Sequence, residues 1–248
     1  MDNISFDRIA DRYEQTRGGL ERGTRFAAII DPLLSPASEV LEIGVGTGAV
    51  ARPLAALGHE MWGIDLSRAM LTRAAGRIEW LVEGDASRLP FRESAFDAAV
   101  AVWALHVVGD ADALVAEVGR VVRPGGRLVV VAPRPEVASN DVTDLAYRWA
   151  RQLGKDDRTQ EVTEMLTAAG WQTVAVTSTP WEESEETPLA RADSIERRDW
   201  SSLWEIDDDT WARVMQPIID RLRKLPRPDQ PRPLRTRHTV TSLARPDA

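Results

Sequence analysis

At 248 residues, with 43% hydrophobic and 28% charged residues, the chain fits one large α/β domain with a substantial core, and no apolar run is long enough to span a bilayer. The absence of cysteine excludes disulfides, thiol nucleophiles and cysteine-ligated metals, and three histidines scattered at 59, 106 and 238 form no metal motif, so a metal-free enzyme is expected. A net charge of −8 argues against nucleic acid as a partner, and the charged opening MDNISFDRIADRYEQ lacks the apolar stretch of a signal peptide, which points to the cytoplasm.

In chain order, Phe6, Ile9, Ala10 and Tyr13 follow an i, i+3, i+4, i+7 stripe and predict an amphipathic helix over 3–15, followed by a second helix over 21–34. From residue 39 strands and helices alternate: SEVLEIG, a helix over 47–57, HEMWGID, the helix SRAMLTRAAG, IEWLVEG, and the nearly continuous apolar run AFDAAVAVWAL. A helix over 110–122, the turn RPGG and the strand RLVVVAP complete this series. Such alternation implies right-handed crossovers and a parallel sheet with helices on both faces. Beyond residue 134, helical patterns at 137–152 and 157–169 precede a sixth strand, GWQTVAVTST. The alternating LRTRHTVTSLARP closes the sheet as an antiparallel last strand, after the proline-rich loop KLPRPDQPRP. Residues 181–225 read as a helical insertion that would cap the substrate site. The expected architecture is α/β: a Rossmann-like, doubly wound, seven-stranded sheet, mostly parallel, with helical cap elements.

Three glycines alternate in VLEIGVGTGAV directly behind the first strand, where open α/β sheets bind ligands. Gly44 and Gly46 would let the main chain turn tightly and approach a ligand, and Gly48 would let the following helix pack closely. A dinucleotide loop has the spacing Gly-x-Gly-x-x-Gly, and here the third glycine comes one residue early, which argues against a dehydrogenase. Asp65 ends the second strand 21 residues after Gly44, where a carboxylate can accept from both hydroxyls of a ribose; it could also serve as a helix cap. Asp85, in EGDASRLPF after the third strand, stands where an adenine amine would lie, with the backbone of Ala86 as donor beside it.

VLEIGVGTG, GIDLS, GDASRLPF, FDAAVAVWALHVV and VVRPGGRLVVV, in this order, resemble the motif series of class I S-adenosylmethionine-dependent methyltransferases. The similarity is to the small-molecule branch that includes the ubiquinone and menaquinone biosynthesis methyltransferases. It covers residues 1 to about 135 well and the last two strands loosely. The resemblance implies one methyltransferase domain over 1–248, with an N-terminal helical lid at 1–34 and a cofactor-binding core at 39–135. It implies S-adenosyl-L-methionine as cofactor, held by Glu42, Gly44, Val45, Gly46, Gly48, Asp65, Leu66, Asp85 and Ala86. It further places Tyr13 at the sulfonium and methyl group and Arg17 at the methionyl carboxylate. A carboxylate at Glu42 suits an ammonium group and repels phosphate.

The implied reaction is methyl transfer to an O, N or C atom of a small-molecule acceptor. His106, after the fourth strand, is the candidate general base, and Trp103 beside it a pocket wall. Trp200 and Trp204, four residues apart within RDWSSLWEIDDDTW, would share one helical face and offer an aromatic wall to the substrate. Two further readings stay open: RNA or protein methylation, and a non-catalytic regulator that binds the cofactor. The first draws on a basic stretch, seven Arg or Lys in 221–237, which could instead pair with the eleven Asp or Glu of 182–209. The oligomeric state is left open between monomer and homodimer.

Overall fold

The computed structural model describes residues 6, 13–14, 18–35, 38–147, 158–204 and 206–247. The chain divides into two compact units. The first comprises Met1–Arg134, Asp157–Thr179 and His238–Ala248; the second comprises Pro135–Asp156 and Pro180–Arg237.

The first unit is built on a seven-stranded sheet of β1 (Glu39–Ile43), β2 (Glu60–Asp65), β3 (Trp80–Glu83), β4 (Phe96–Val102), β5 (Val122–Val131), β7 (Gln172–Ser178) and β10 (Thr239–Ala244). The strand order is β3-β2-β1-β4-β5-β10-β7. The pairs from β3 to β5 are parallel, and β10 runs antiparallel to both its neighbours. β4 is buried along almost its whole length because Ala98, Ala99 and Ala101 leave room for covering layers on both faces. Helix α1 (Gly19–Ile30) packs Phe26, Ala27 and Ile30 into the core with Val40, Val100 and Val129. Residues 19–30 of the expected lid are therefore part of the core, and the helix predicted over 3–15 lies almost wholly outside the described residues.

Helices α2 (Ala51–Ala56), α3 (Arg68–Ala74), α4 (Ala111–Val121) and α6 (Arg158–Ala168) belong to the same unit. Ser67 caps α3 by accepting from the N–H of Met70, and Asp110 caps α4 by accepting from Ala113.

The second unit has its own three-stranded antiparallel sheet, in the order β6 (Glu136–Val137), β9 (Arg232–Arg237), β8 (Glu182–Glu186). Helices α5 (Asp141–Ala146), α7 (Pro188–Glu196) and α8 (Gln216–Arg223) accompany it, with a π-helical turn Trp211–Met215 leading into α8. Their apolar faces meet around Leu145, Ile195, Met215, Ile219 and Leu222.

Three expectations change here. The segment 181–225 is not purely helical, since it opens with β8, whose EESEE sequence carries no apolar alternation and is held by cross-strand pairing to β9. The stretch LRTRHTVTSLARP is two strands in two sheets, divided at His238. Trp200 and Trp204 share no helical face: α7 ends at Glu196, Arg198 beyond it has a left-handed φ of 54°, and only the short turn Ser201–Leu203 separates the two. The next helix starts where Asp207 accepts from Thr210.

Candidate functional site

The carboxyl ends of β1, β2 and β3 are tied together by hydrogen bonds. After β1 the N–H groups of Gly44 and Val45 donate to Ile64 O at 2.8 and 3.0 Å, and Gly84 N donates to Asp65 O at 3.0 Å. Asp65 joins the glycine loop directly, Oδ2 accepting from Gly46 N and Oδ1 from Ser67 N, both at 2.8 Å. The three loop glycines have φ of 70°, 53° and 74°. They differ in what surrounds them. A Cβ on Gly44 would lie 2.5 Å from the Cβ of Ala104, so this glycine permits close packing on the segment after β4. Gly48 faces Ala74 at the end of α3 rather than its own strand. At Gly46 an added Cβ meets nothing within 4 Å, so its backbone fronts open space, as a cradle for a closely approaching ligand requires. Val45 is buried and fits because Gly63 has no side chain to meet it, while Leu66 is exposed beside Asp65.

Beneath the loop, Glu42 is only 2% exposed. Its carboxylate accepts from the backbone of Ala51, yet Oε2 has no hydrogen-bond partner among the described residues. Burial, reinforced by the charge of Asp65, pushes the carboxyl up to about 8. A buried carboxyl oxygen left unsatisfied costs stability. A donor placed there would satisfy the oxygen and favour the ionised form. Asp85 lies in the exposed turn after β3, where Oδ1 accepts from Ser87 N at 2.8 Å, and Ala86 beside it is half-buried.

The far wall is aromatic and cationic. Trp103 leaves β4 with φ of 53°, unusual for a bulky side chain, and meets Phe26 edge-on at 4.9 Å. The Arg22 guanidinium lies 4.3 Å from the Trp103 ring centroid and donates to His238 Nε2 at 2.8 Å. Tyr13, Glu14, Arg22, Thr47, Val50 and Trp103 line one cleft. Glu14 is gripped by both terminal nitrogens of Arg77, which also donates to Thr47 O at 2.9 Å, and this guanidinium holds the Glu14 carboxyl below its usual range. Glu14 is thereby fastened to the glycine loop.

The structure thus gathers Glu42, the three glycines, Asp65 and Asp85 at one end of the sheet, with Tyr13 and Trp103 in the adjoining cleft. His106 stands in the half-buried turn Leu105–Val107, three residues past Trp103, and is not among the residues lining that cleft. Arg17 lies outside the described residues. Trp200 and Trp204 belong to the second unit, where Trp200 stacks against Arg191 and the indole of Trp204 donates to Arg198 O at 2.7 Å. Glu14, Arg22, Arg77 and His238 escaped the sequence reading, because their partners are 63 and 216 residues away and no local spacing announces them. Among the described residues, no group of three His, Asp or Glu could hold a metal, and no helix is long and apolar enough to cross a membrane.

Residues 41–130 match the methyltransferase domain family. The chain matches that family over little more than a third of its length. It is similar to the demethylmenaquinone methyltransferase of Mycolicibacterium gilvum, at 41% identity over 129 residues, 50% of this chain and 57% of that protein. The chain therefore spans little more than half the length of the curated relatives it matches. Among solved structures it resembles Haemonchus contortus phosphoethanolamine N-methyltransferase 2 in complex with S-adenosylhomocysteine, with TM-score 0.56 and 18% identity over 100% of this chain and 61% of that one. It also resembles the [4+2]-cyclase SpnF, with TM-score 0.55 and 20% identity over 91% and 81%. Likeness at that identity concerns the fold alone. The matched stretch of the methyltransferase domain holds Glu42, Asp65, Asp85 and Trp103, while Arg22 and His238 lie outside it.

Proposed function

We propose that this methyltransferase domain binds S-adenosyl-L-methionine and moves its methyl group to an O, N or C atom of a small-molecule acceptor. The observation that carries the reading is the meeting of Glu42, Gly46 and Asp65: a buried carboxyl with one oxygen unpartnered among the described residues, a backbone facing open space, and a carboxylate held by two main-chain amides. These residues fit the cofactor. An ammonium group at Glu42 Oε2 would supply the missing donor and favour the ionised carboxylate, whereas a pyrophosphate would be repelled. Asp65 is fixed by one amide on each oxygen, and a carboxylate oxygen accepts more than one hydrogen bond, which suits the two hydroxyls of a ribose. Asp85 and the backbone of Ala86 would address the adenine, and Val45 and Leu66 flank the same turns.

When bound, S-adenosylmethionine supplies a methyl carbon activated by a sulfonium, which the acceptor's lone pair attacks in line as the carbon–sulfur bond breaks. The chain's part is to position the acceptor, exclude water and take up any proton released. Trp103 and Tyr13 would wall the transfer channel, and an aromatic face is favourable to a sulfonium. His106, in the turn after β4, is the group we assign to accept a proton in its neutral form, although it does not line the cleft of Tyr13 and Trp103. Orientation alone is worth several kcal/mol of barrier. The relatives named as demethylmenaquinone methyltransferases support a small-molecule acceptor. The ion pairs of Arg235 with Glu183 and of Arg223 with Asp193 and Glu196 occupy part of the basic stretch that an RNA reading would need.

The test is calorimetric titration of the wild type and Asp65→Ala with S-adenosylhomocysteine, beside NAD. The expected outcome is binding to the wild type and none of NAD. A loss of about tenfold to a hundredfold in the variant corresponds to hydrogen bonds of about 1.5–3 kcal/mol to a charged acceptor. Equal binding by both proteins would refute the role of Asp65, and preference for NAD would refute the cofactor.

A further inference from the structure

The turn that carries Asp85 belongs to the connection from β3 to β4, which has no helix or strand of its own between Glu83 and Phe96. One end of the turn is fixed by the sheet, since Gly84 N donates to Asp65 O at 3.0 Å. The other end is held by two side chains one turn apart on α4. Glu117 Oε2 accepts from Leu89 N at 2.6 Å, and the Arg120 guanidinium donates to Phe91 O at 2.6 Å and to Leu89 O at 2.9 Å. The two side chains also hold each other, Nε and one terminal nitrogen of Arg120 meeting the two Glu117 oxygens, each at 2.8 Å. The Arg120 guanidinium keeps the Glu117 carboxyl below its usual range, so it stays an ionised acceptor at neutral pH. The main chain of the helix joins in, Arg120 O accepting from Ser94 N at 2.9 Å.

Packing by itself keeps this connection on the protein. Leu89 is buried, and Phe91 meets Phe96 edge-on at 4.9 Å. The polar clamp adds little stability to that, because its side chains are partly open to water, Arg120 at 35% and Glu117 at 19%. What a planar fork and a carboxylate supply instead is direction, since they fix the N–H and C=O of Leu89 and the C=O of Phe91 together. Asp85 lies one tight turn away. Its main-chain O accepts from Arg88 N at 3.0 Å and its Oδ1 from Ser87 N at 2.8 Å, so a shift of Leu89 is passed through Arg88 to the Asp85 carboxylate. Asp85 is exposed, and the two anchored ends of its turn set where its carboxylate points.

We propose that Glu117 and Arg120 are positioning residues for Asp85, and that through it they set the preference of the site for a purine bearing an exocyclic amine over one bearing a carbonyl oxygen there. The inference rests on the methyltransferase reading, which gives the adenine to Asp85 and the backbone of Ala86. An amine donates to the carboxylate. Hypoxanthine turns an oxygen towards it, and presents a protonated ring nitrogen to the N–H of Ala86, so both contacts become repulsive. The clamp decides how sharply that difference is read.

The experiment titrates the full chain with S-adenosylhomocysteine and with S-inosylhomocysteine and reads the ratio of the two affinities. The wild type is expected to prefer the adenosine compound by about tenfold or more. Arg120→Met should lower that ratio about fivefold or more, chiefly by weakening S-adenosylhomocysteine. Arg120→Lys, which keeps the charge without the fork, should fall between the two. Glu117→Gln, whose amide oxygen can still accept from Leu89, should keep most of the preference. A purely structural tie would lower the temperature of unfolding and weaken both ligands alike, with the ratio unchanged. That result in Arg120→Met, or in Arg120→Lys should Arg120→Met not fold, overturns the proposal. Asp85→Ala should abolish the preference, and adding Arg120→Met to it should change the ratio no further. A further change would mean that Arg120 acts by another route than Asp85, and overturns the proposal as well. A wild type that binds both compounds equally overturns the adenine role of Asp85 and the proposal with it. A wild type that binds neither overturns the methyltransferase reading.

Discussion

The two units bury charge in opposite ways. In the first, β4 is apolar but for Asp97, and the buried carboxyl Glu42 lies on neighbouring β1 with one oxygen unpartnered among the described residues. In the second, the apolar cluster is smaller and cations take part in it. Arg191, 5% exposed, pairs with Glu186 at 2.7 Å and lies over the rings of Tyr147 and Trp200. Arg198 stacks on Trp211 and donates to three main-chain carbonyls, and Trp181 is flanked by Arg235 and Arg237. A buried charge that is fully paired is part of how a fold holds together. One left unpaired is an unfavourable feature that a ligand can relieve, and on this contrast we propose a ligand role for Glu42 and a structural one for Arg191.

The largest expected effect tests Glu42. Its folded value near 8 lies above the ordinary carboxyl value of 4.5, so the native state holds the proton more tightly than the unfolded chain. The stabilisation is complete below pH 4.5 and is lost as pH rises through 8. At about 1.4 kcal/mol per unit, the wild type should lose several kcal/mol relative to Glu42→Gln across that window. Urea denaturation of both proteins at pH 5, 7 and 9 measures it. Parallel pH profiles would mean that Glu42 has a partner after all and that the contrast with Arg191 is void.

Arg191→Leu comes next. It leaves Glu186 without its ion-pair partner in surroundings whose burial already raises that carboxyl, at a cost of about 3 kcal/mol. Adding Glu186→Gln should recover part of this, because the stranded charge is then gone. Affinity for S-adenosylhomocysteine should be unchanged in both variants by calorimetry. A change would show that Arg191 serves the ligand as well as the fold.

His238 gives a smaller effect with the opposite pH sign to Glu42. Its folded value near 4 lies below 6.5, so the stabilisation is complete above pH 6.5 and disappears as pH falls through 4, about 3 kcal/mol at most. His238→Gln should flatten the stability profile between pH 7 and 4. A wild-type profile already flat over that range would mean that the Arg22 contact survives protonation, which a ring with both nitrogens as donors cannot allow.

These contrasts also mark what could be read in advance. The first unit was legible because burial on both faces writes itself as apolar runs, and because the glycines, Asp65 and Asp85 follow those runs at regular places. Asp65 is read from its spacing after Gly44 together with its place at the end of the second strand. In the second unit the signals are non-local. β8 is EESEE, a strand only by virtue of pairing Glu183 with Arg235 fifty-two residues on. The break at His238 is invisible within an unbroken alternation, since both halves are extended and only their partners differ. Four-residue spacing put Trp200 and Trp204 on one face only on the assumption of a helix, which the left-handed Arg198 interrupts. The Arg22–His238 contact joins the two ends of the chain, and composition reports neither residue as special.

The smallest effect decides whether burial or mere charge pairing governs the second unit. Arg235 repeats the chemistry of Arg191, with a carboxylate, Glu183, at 3.2 Å and an aromatic ring, Trp181, at 5.2 Å. Its side chain is 47% exposed and that of Glu183 73%. Water and salt screen such a pair, so Arg235→Ala should cost under about 1 kcal/mol, less still at high ionic strength. If denaturation instead gave a loss equal to that of Arg191→Leu, insensitive to salt, exposure would not be what separates the two arginines. The unit would then be held by its ladder of opposite charges, and the low burial of β8 and β9 would be no measure of their importance.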